Sequence, residues 1–184
     1  MGEPKLKTAS TKIITGKCRA SYARLFHPDP ETGKYSVTLL IPKSDRKTLA
    51  DIEAAREAAI VKKWPTKRPM NLHNTLHDGD GVRDDGEPYG PECVGHMILR
   101  VSTKTRPGLV DRQCNEIIDP DELQSGDYIR ASIVAGAYDT SGNRGVTFYL
   151  NNVQCLAKGE PLGSHSRAAD EFSVVEDDDE DAAW

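Results

Sequence analysis

Two stretches in the later part of the chain alternate with a period of two, and this pattern constrains the fold more than any other feature. In residues 127–138, Ile129, Ala131, Ile133 and Ala135 share one phase, while Tyr128, Arg130, Ser132 and Val134 share the other. Such alternation places the two sets on opposite faces of an extended strand. Residues 139–145, Asp-Thr-Ser-Gly-Asn-Arg-Gly, are rich in types that tolerate positive φ, and they lead into a second β-prone run at 146–156. The product is a long antiparallel hairpin whose apolar face other elements must cover.

Residues 33–42 alternate in the same way, Tyr35, Val37, Leu39 and Ile41 against Ser36, Thr38 and Leu40. A turn-rich connection at 27–33 joins them to a β-branched and basic run at 12–19, which makes a second hairpin. Residues 95–103 give a further strand, with Met97, Leu99 and Val101 opposing Ile98, Arg100 and Ser102. One helix stands out: Ser44 or Asp45 can cap it, Leu49, Ile52, Ala55 or Ala59, and Ile60 recur at helical spacing to about Lys62, and Pro65 stops it. Residues 65–91, crowded with Pro, Gly, Asn and Asp, read as a long loop, of the kind that more often serves as a working surface. Five or so strands with one inserted helix predict a mainly β chain, an OB-fold-like small β-barrel, closed or half-closed, with a sandwich as second choice. A parallel α/β sheet would need a helix after nearly every strand.

Charge divides the chain. Its 184 residues hold 24 Lys and Arg against 29 Asp and Glu, a net charge of −5. Eight of the acids and none of the bases fall in residues 170–184, which leaves 24 bases against 21 acids, a net of +3, in residues 1–169. A mildly basic body with an acidic appendage permits a polyanionic partner. The partition predicts a flexible N-terminus at 1–11, a folded domain at 12–157, a polar linker at 158–175 and a disordered acidic tail at 176–184 that ends in Trp184. Trp184 has no core to build there. Asp177, Asp178, Asp179, Glu180, Asp181 and Trp184 are therefore assigned to partner contact and to mimicry of polyphosphate in the protein's own basic groove. A solvated tail that only aids solubility is the alternative that composition allows.

The four cysteines lie 75, 21 and 41 residues apart, without the CxxC pairs of a zinc ribbon, and read as reduced thiols. No run of 18 apolar residues and no apolar segment behind the charged start suggest a membrane span or a secretory leader. His73 and His77 have metal-ligand spacing but lack the glutamate of a zinc-protease helix and sit among helix breakers. Residues 78–87 look like a calcium loop until Val82 and Arg83 fall on the wrong positions, so an acidic turn is expected. Walker loops, nucleophile elbows and deaminase zinc motifs are missing from the sequence, and no cofactor is implied.

Aromatic and basic residues, by contrast, are interleaved near predicted loops and strand ends. Lys17 and Arg19 precede Tyr22 and Arg24; Lys34 adjoins Tyr35; Lys104 and Arg106 lie together; Tyr138, Arg144 and Tyr149 belong to the last hairpin. A groove for single strands needs cations along the phosphates and flat rings for the bases. Any one ring is as apt to be buried as to stack. Phe148, in phase with Val146 and Leu150, is expected in the core, and Tyr149 on the surface with Thr147 and Asn151.

Several blocks in order, rather than any one of them, carry a resemblance. They are Ile14 to Arg19 with Ser21, Tyr22 and Phe26; Lys34 to Asp45; Leu76 to Asp80; Ser102 to Asp111; Ser125 to Tyr128; and Gly142 to Val146 with Leu150 to Gln154. Over residues 13–184 the chain resembles the bacteriophage single-stranded DNA-binding protein family with an OB-fold. The resemblance implies a protein that coats single-stranded DNA in phage replication or recombination, in the bacterial cytoplasm, without chemistry. It also implies a tail that contacts other replication proteins. Tyr35, Lys104, Arg106 and Arg144 lie in matching blocks and carry the strongest expectation of DNA contact. His77 in the loop and Trp184 in place of a terminal Phe depart from the pattern without changing the class expected. A homo-oligomer or a cooperative assembly on DNA is left open. Two rival classes remain: a metal-dependent DNA-processing enzyme using His77, Asp78, Asp80 and Asp84, and an interaction module without DNA affinity.

Overall fold

The computed structural model describes residues 10–162 and 172–174. The N-terminus before residue 10, most of the expected linker, and the acidic tail with Trp184 lie outside the described residues. The strands are β1 (Lys12–Ile14), β2 (Cys18–Arg24), β3 (Tyr35–Pro42), β4 (His73–Asn74), β5 (Leu76–Asp78), β6 (His96–Thr103), β7 (Gly108–Val110), β8 (Tyr128–Thr140) and β9 (Asn143–Ala157). The single α-helix among the described residues, α1 (Arg46–Lys63), follows β3.

Pairing traces a ring. β8 pairs with β2, β2 with β3 and β3 with β6, all antiparallel, then β6 with β9 in parallel, and β9 returns antiparallel to β8. The parallel seam is one residue pair wide, Ser102 beside Tyr149, and β7 continues it along β9. Among the described residues the chain is mainly β with one α-helix, and its sheet closes on itself as a barrel-like ring.

The alternations seen in sequence become inside and outside. Val37, Leu39, Ile41, Leu99, Val101, Ile129, Ala131 and Ile133 are buried in the barrel, as is Phe148. Burial of each large side chain stabilises by about 1.5–3 kcal/mol. On β9 the inward phase passes from Leu150 to Val153, because a bulge against β8 leaves Asn151 and Asn152 both exposed. The hairpin turn is shorter than the expected seven residues. Thr140 pairs with Asn143, so only Ser141 and Gly142 turn, at φ of 51° and 87°. Positive φ at both central residues matches the right-handed twist of the flanking strands.

Asp45 caps α1 by accepting from the backbone N–H of Thr48, while Lys62 and Lys63 favour its C-terminal dipole. Ile52, Ala55, Ala59 and Ile60 face the core, and the helix packs chiefly on β8. The expected strand at 12–19 is instead two strands, both paired to β8. The chain crosses between them because Thr15 exchanges hydrogen bonds with Ala131, and the Gly16 N–H donates to Thr48 Oγ1 at 2.8 Å. The expected loop at 65–91 contains β4 and β5, which pair with β9 and β6. Cys18, Cys93 and Cys155 are buried free thiols and Cys114 is an exposed one. Burial pushes the Cys18 thiol up to about 11.

The expected polar linker begins bound to the body. The buried Asp127 carboxylate accepts from Lys158 Nζ at 2.8 Å, from the Gly159 N–H at 3.2 Å and from the Gln124 N–H at 2.9 Å. Arg19 Nη2 donates to the Glu160 carbonyl at 2.7 Å, and Leu162 packs on Leu40, Cys93 and Ile98. Removing the buried carboxylate takes away the acceptor these three donors share. Asp127→Ala should lower unfolding free energy by about 2 kcal/mol in urea melts, and should expose the 158–162 backbone to hydrogen exchange before the barrel opens.

Candidate nucleic-acid interface

The in-register ladders line up rows of side chains on the outer face of the barrel. Arg24 on β2 is opposite Ser36 on β3, Ser36 is opposite Ser102 on β6, and Ser102 is beside Tyr149 on β9. The next row joins Ser21, Thr38 and Arg100. With strands about 4.8 Å apart, the first row spans roughly 14 Å. Small hydroxyl residues floor it and charged or aromatic side chains stand at its ends. The Tyr149 ring, 49% exposed, lies over Gly136, where a Cβ would come 2.5 Å from Cε2. Any other residue at 136 would push that ring away.

A β-bulge shapes the β2 edge. Three residue steps on β2, from Ser21 to Arg24, match two on β3, from Thr38 to Ser36. Tyr22 takes up the extra residue at φ +47° and stands 78% exposed. The left-handed region costs a non-glycine residue about 1–2 kcal/mol. Neighbouring bonds hold it there: the Ala23 N–H donates to Ser125 Oγ at 2.9 Å, and Ala20 is bonded to Gly126 and Asp127 on both sides. Backbone strain of this kind clusters at binding sites.

Loop 79–95 raises a wall beside these rows. Lys43 Nζ lies 2.6 Å from both Asp78 and Asp80, and the Gly95 N–H donates to Asp80 at 2.9 Å. The hydrogen bond from Lys43 holds both carboxyls below the usual range and raises its own ammonium. Cys93 and Tyr89 then pack on Leu40 and Ile98. The resulting cleft of about 450 Å³ is lined by Tyr22, Arg24, Arg83, Tyr89 and Arg100, with Asp29 and Glu92 as its acids. Asp29 is held below the usual carboxylate range, first by the N–H of Glu31 and then, beyond its own turn, by Arg24 and Arg100.

Of the residues singled out in sequence, the cleft gathers Tyr22 and Arg24, and Tyr149 shares their outer face. Tyr35 is half-buried in the inward phase of Val37, opposite Thr103. Lys34 is exposed just before it. Lys104 and Arg106 are exposed between β6 and β7, outside the cleft lining. Lys17 sits 5.2 Å over the Tyr128 ring, and Arg19 is taken up by the carbonyls of Gly126 and Glu160. Arg144 donates to Asp139 at 3.0 Å near the hairpin tip, and Tyr138 is half-buried opposite Gly145. Asp177, Asp178, Asp179, Glu180, Asp181 and Trp184 lie outside the described residues. Arg100, Arg83, Tyr89 and Asp29 were not anticipated. Arg100 was discoverable from its outward phase on the strand at 95–103, whereas loop residues reach the cleft only through long-range closure.

Among the described residues no group of three His, Cys, Asp or Glu side chains converges on a metal position. Asp78 and Asp80 are both engaged by Lys43, and His73 and His77 stand on separate short strands. No described helix is long and apolar enough to cross a membrane.

Known proteins resemble the chain in sequence and fold. The structure of the single-stranded DNA-binding protein of bacteriophage Enc34 in complex with ssDNA is similar, with 25% identity and a TM-score of 0.69, covering 85% of this chain and 91% of that one. The single-stranded DNA binding protein gp2.5 of bacteriophage T7 shares the fold at 17% identity and a TM-score of 0.59, over 88% and 94% of the two chains. Protein p50 of Acyrthosiphon pisum secondary endosymbiont phage 1 is 28% identical across 91% of this chain and 97% of its own length. Residues 11–183 match the family model described as Enterobacter phage Enc34, ssDNA-binding protein, and the chain belongs to that family.

Proposed function

We propose that this protein binds single-stranded DNA on the outer face of β2, β3 and β6, without catalysis and without reading sequence. The observation that carries the proposal is the row from Arg24 through Ser36 and Ser102 to Tyr149, flanked by Tyr22 and Arg100. Cations at this spacing follow phosphates, and exposed rings offer π-faces that accept any base. The wall made by loop 79–95 confines the strand on one side, and the hydroxyls of Ser36, Thr38 and Ser102 provide donors short enough to let bases approach. Membership of the family, and the similar Enc34 protein solved with ssDNA, support the same reading. Lys34, Lys104, Arg106 and Arg144 extend the positive field beyond the cleft.

In this reading the protein coats single strands exposed during phage replication or recombination in the host cytoplasm. The acidic run from Asp177 to Asp181 with Trp184 recruits replication proteins and competes with DNA for the groove. The eight acidic side chains of residues 170–184 repel phosphate and mimic it.

Fluorescence anisotropy of labelled poly-dT against the full chain and a 1–169 truncation, with a duplex of equal length alongside, tests this directly. Binding should prefer the single strand, weaken with salt, and tighten on truncation. No binding by either protein would end the DNA reading, and weaker binding after truncation would end tail competition. Tyr22→Ala should weaken poly-dT binding by about 1–3 kcal/mol with an unchanged salt slope. Arg100→Ala should reduce that slope by about 0.7, the share of one phosphate on a single strand.

A further inference from the structure

Within the cleft, Asp29 is out of place for a surface that binds a polyanion. It is not a disordered surface acid. Its Oδ1 accepts from the Glu31 N–H at 2.8 Å, its backbone N–H donates to Lys34 at 2.9 Å, and Gly33 donates to its carbonyl at 2.7 Å. The turn between β2 and β3 therefore holds the carboxylate in place, and Oδ2 lies 3.7 Å from Arg24 Nη1. Arg100, in the next cross-strand row, also acts on it electrostatically. The distance to Arg24 exceeds a hydrogen bond, and Arg24 keeps a side chain 55% exposed. That is an ion pair a competing anion can open, unlike the Arg19 contacts to Gly126 and Glu160, which bind a cation to backbone.

We propose that Asp29 is a built-in counter-ion of the DNA cleft: it neutralises Arg24 and faces Arg100 in the free protein, and a DNA phosphate must displace it. This rests on the reading of the cleft as a single-strand site. An exchange of one anion for another gains less than pairing with a free cation, and it releases fewer ions from the DNA. Asp29 thereby weakens binding and hastens release, which suits a coat that must be stripped from its template. It also opposes duplex DNA, whose denser phosphates meet the fixed carboxylate without the freedom of a single strand to route around it.

The test is poly-dT anisotropy at several salt concentrations with wild type, Asp29→Asn, Arg24→Ala and the double variant. Asparagine keeps the oxygen that accepts from Glu31, and thermal melts of each variant check that the turn survives. Asp29→Asn should bind about three- to tenfold tighter at low salt, with a salt slope steeper by about 0.7, and most of this gain should vanish in the Arg24→Ala background. Equal or weaker binding by Asp29→Asn would overturn the proposal, since the carboxylate would then be positioning Arg24 rather than blocking it. A gain that persists undiminished without Arg24 would overturn it too. If wild type fails to bind poly-dT at all, the cleft reading itself falls; if it binds and only the variant prediction fails, the cleft reading stands without the counter-ion.

Discussion

The ladder between β3 and β6 underlies everything else in this structure. Eight consecutive residue pairs, from Tyr35 with Thr103 to Pro42 with His96, run without a bulge. An unbroken register means that one choice of phase fixes both faces at once. It sends Val37, Leu39, Ile41, Leu99 and Val101 into the core and turns Thr38, Arg100 and Ser102 to the other face, where Ser36 lies buried at the floor of the cleft. A slip of one residue would bury Arg100 and expose Leu99, so the hydrophobic effect that closes the barrel also holds the binding surface in place. The irregular features lie on the neighbours of this ladder: the bulge at Tyr22 on β2 and the phase change after Leu150 on β9.

Much of this was legible in sequence because period-two alternation records which side of a strand is dry. The phases of the strands carrying Leu99, Ile129 and Phe148 follow from it, and so does the capping of α1 by Asp45. Site residues were harder, since sequence shows which residues can bind a phosphate but not what else they touch. Arg19 has the composition of a DNA contact and instead binds two carbonyls. Tyr35 falls in a phase that the barrel interior claims. Arg83 and Tyr89 reach the cleft only because Lys43 pins their loop through Asp78 and Asp80, a connection across more than thirty residues. The bulge at Tyr22 has no local signal, because tyrosine has no preference for positive φ.

The charge of the cleft is closely balanced. Three arginines line it against two acids, a small surplus for a site proposed to hold a polyanion. Such a site gains selectivity from geometry more than from bulk attraction: rings at the row ends reward a strand with free bases, whereas an evenly basic groove would attract any phosphate backbone. The strain at Tyr22 fits this economy, holding a ring out from the sheet where unbroken alternation would turn it inward with Cys18 and Ala20.

The clasp around Asp127 has a further consequence. Leu162 rests on Leu40, Cys93 and Ile98, and these same residues line the cleft. The 22 residues that follow Leu162 thus begin at the rim of the proposed cleft and not at the far end of the barrel. For the tail competition proposed above, the position of this anchor sets the local concentration at which residues 170–184 would meet the groove. Asp127, Lys158 and Arg19 then act as a mooring: in that proposal, freeing residues 158–162 from the body would dilute the acidic segment at the cleft without altering a charge in either.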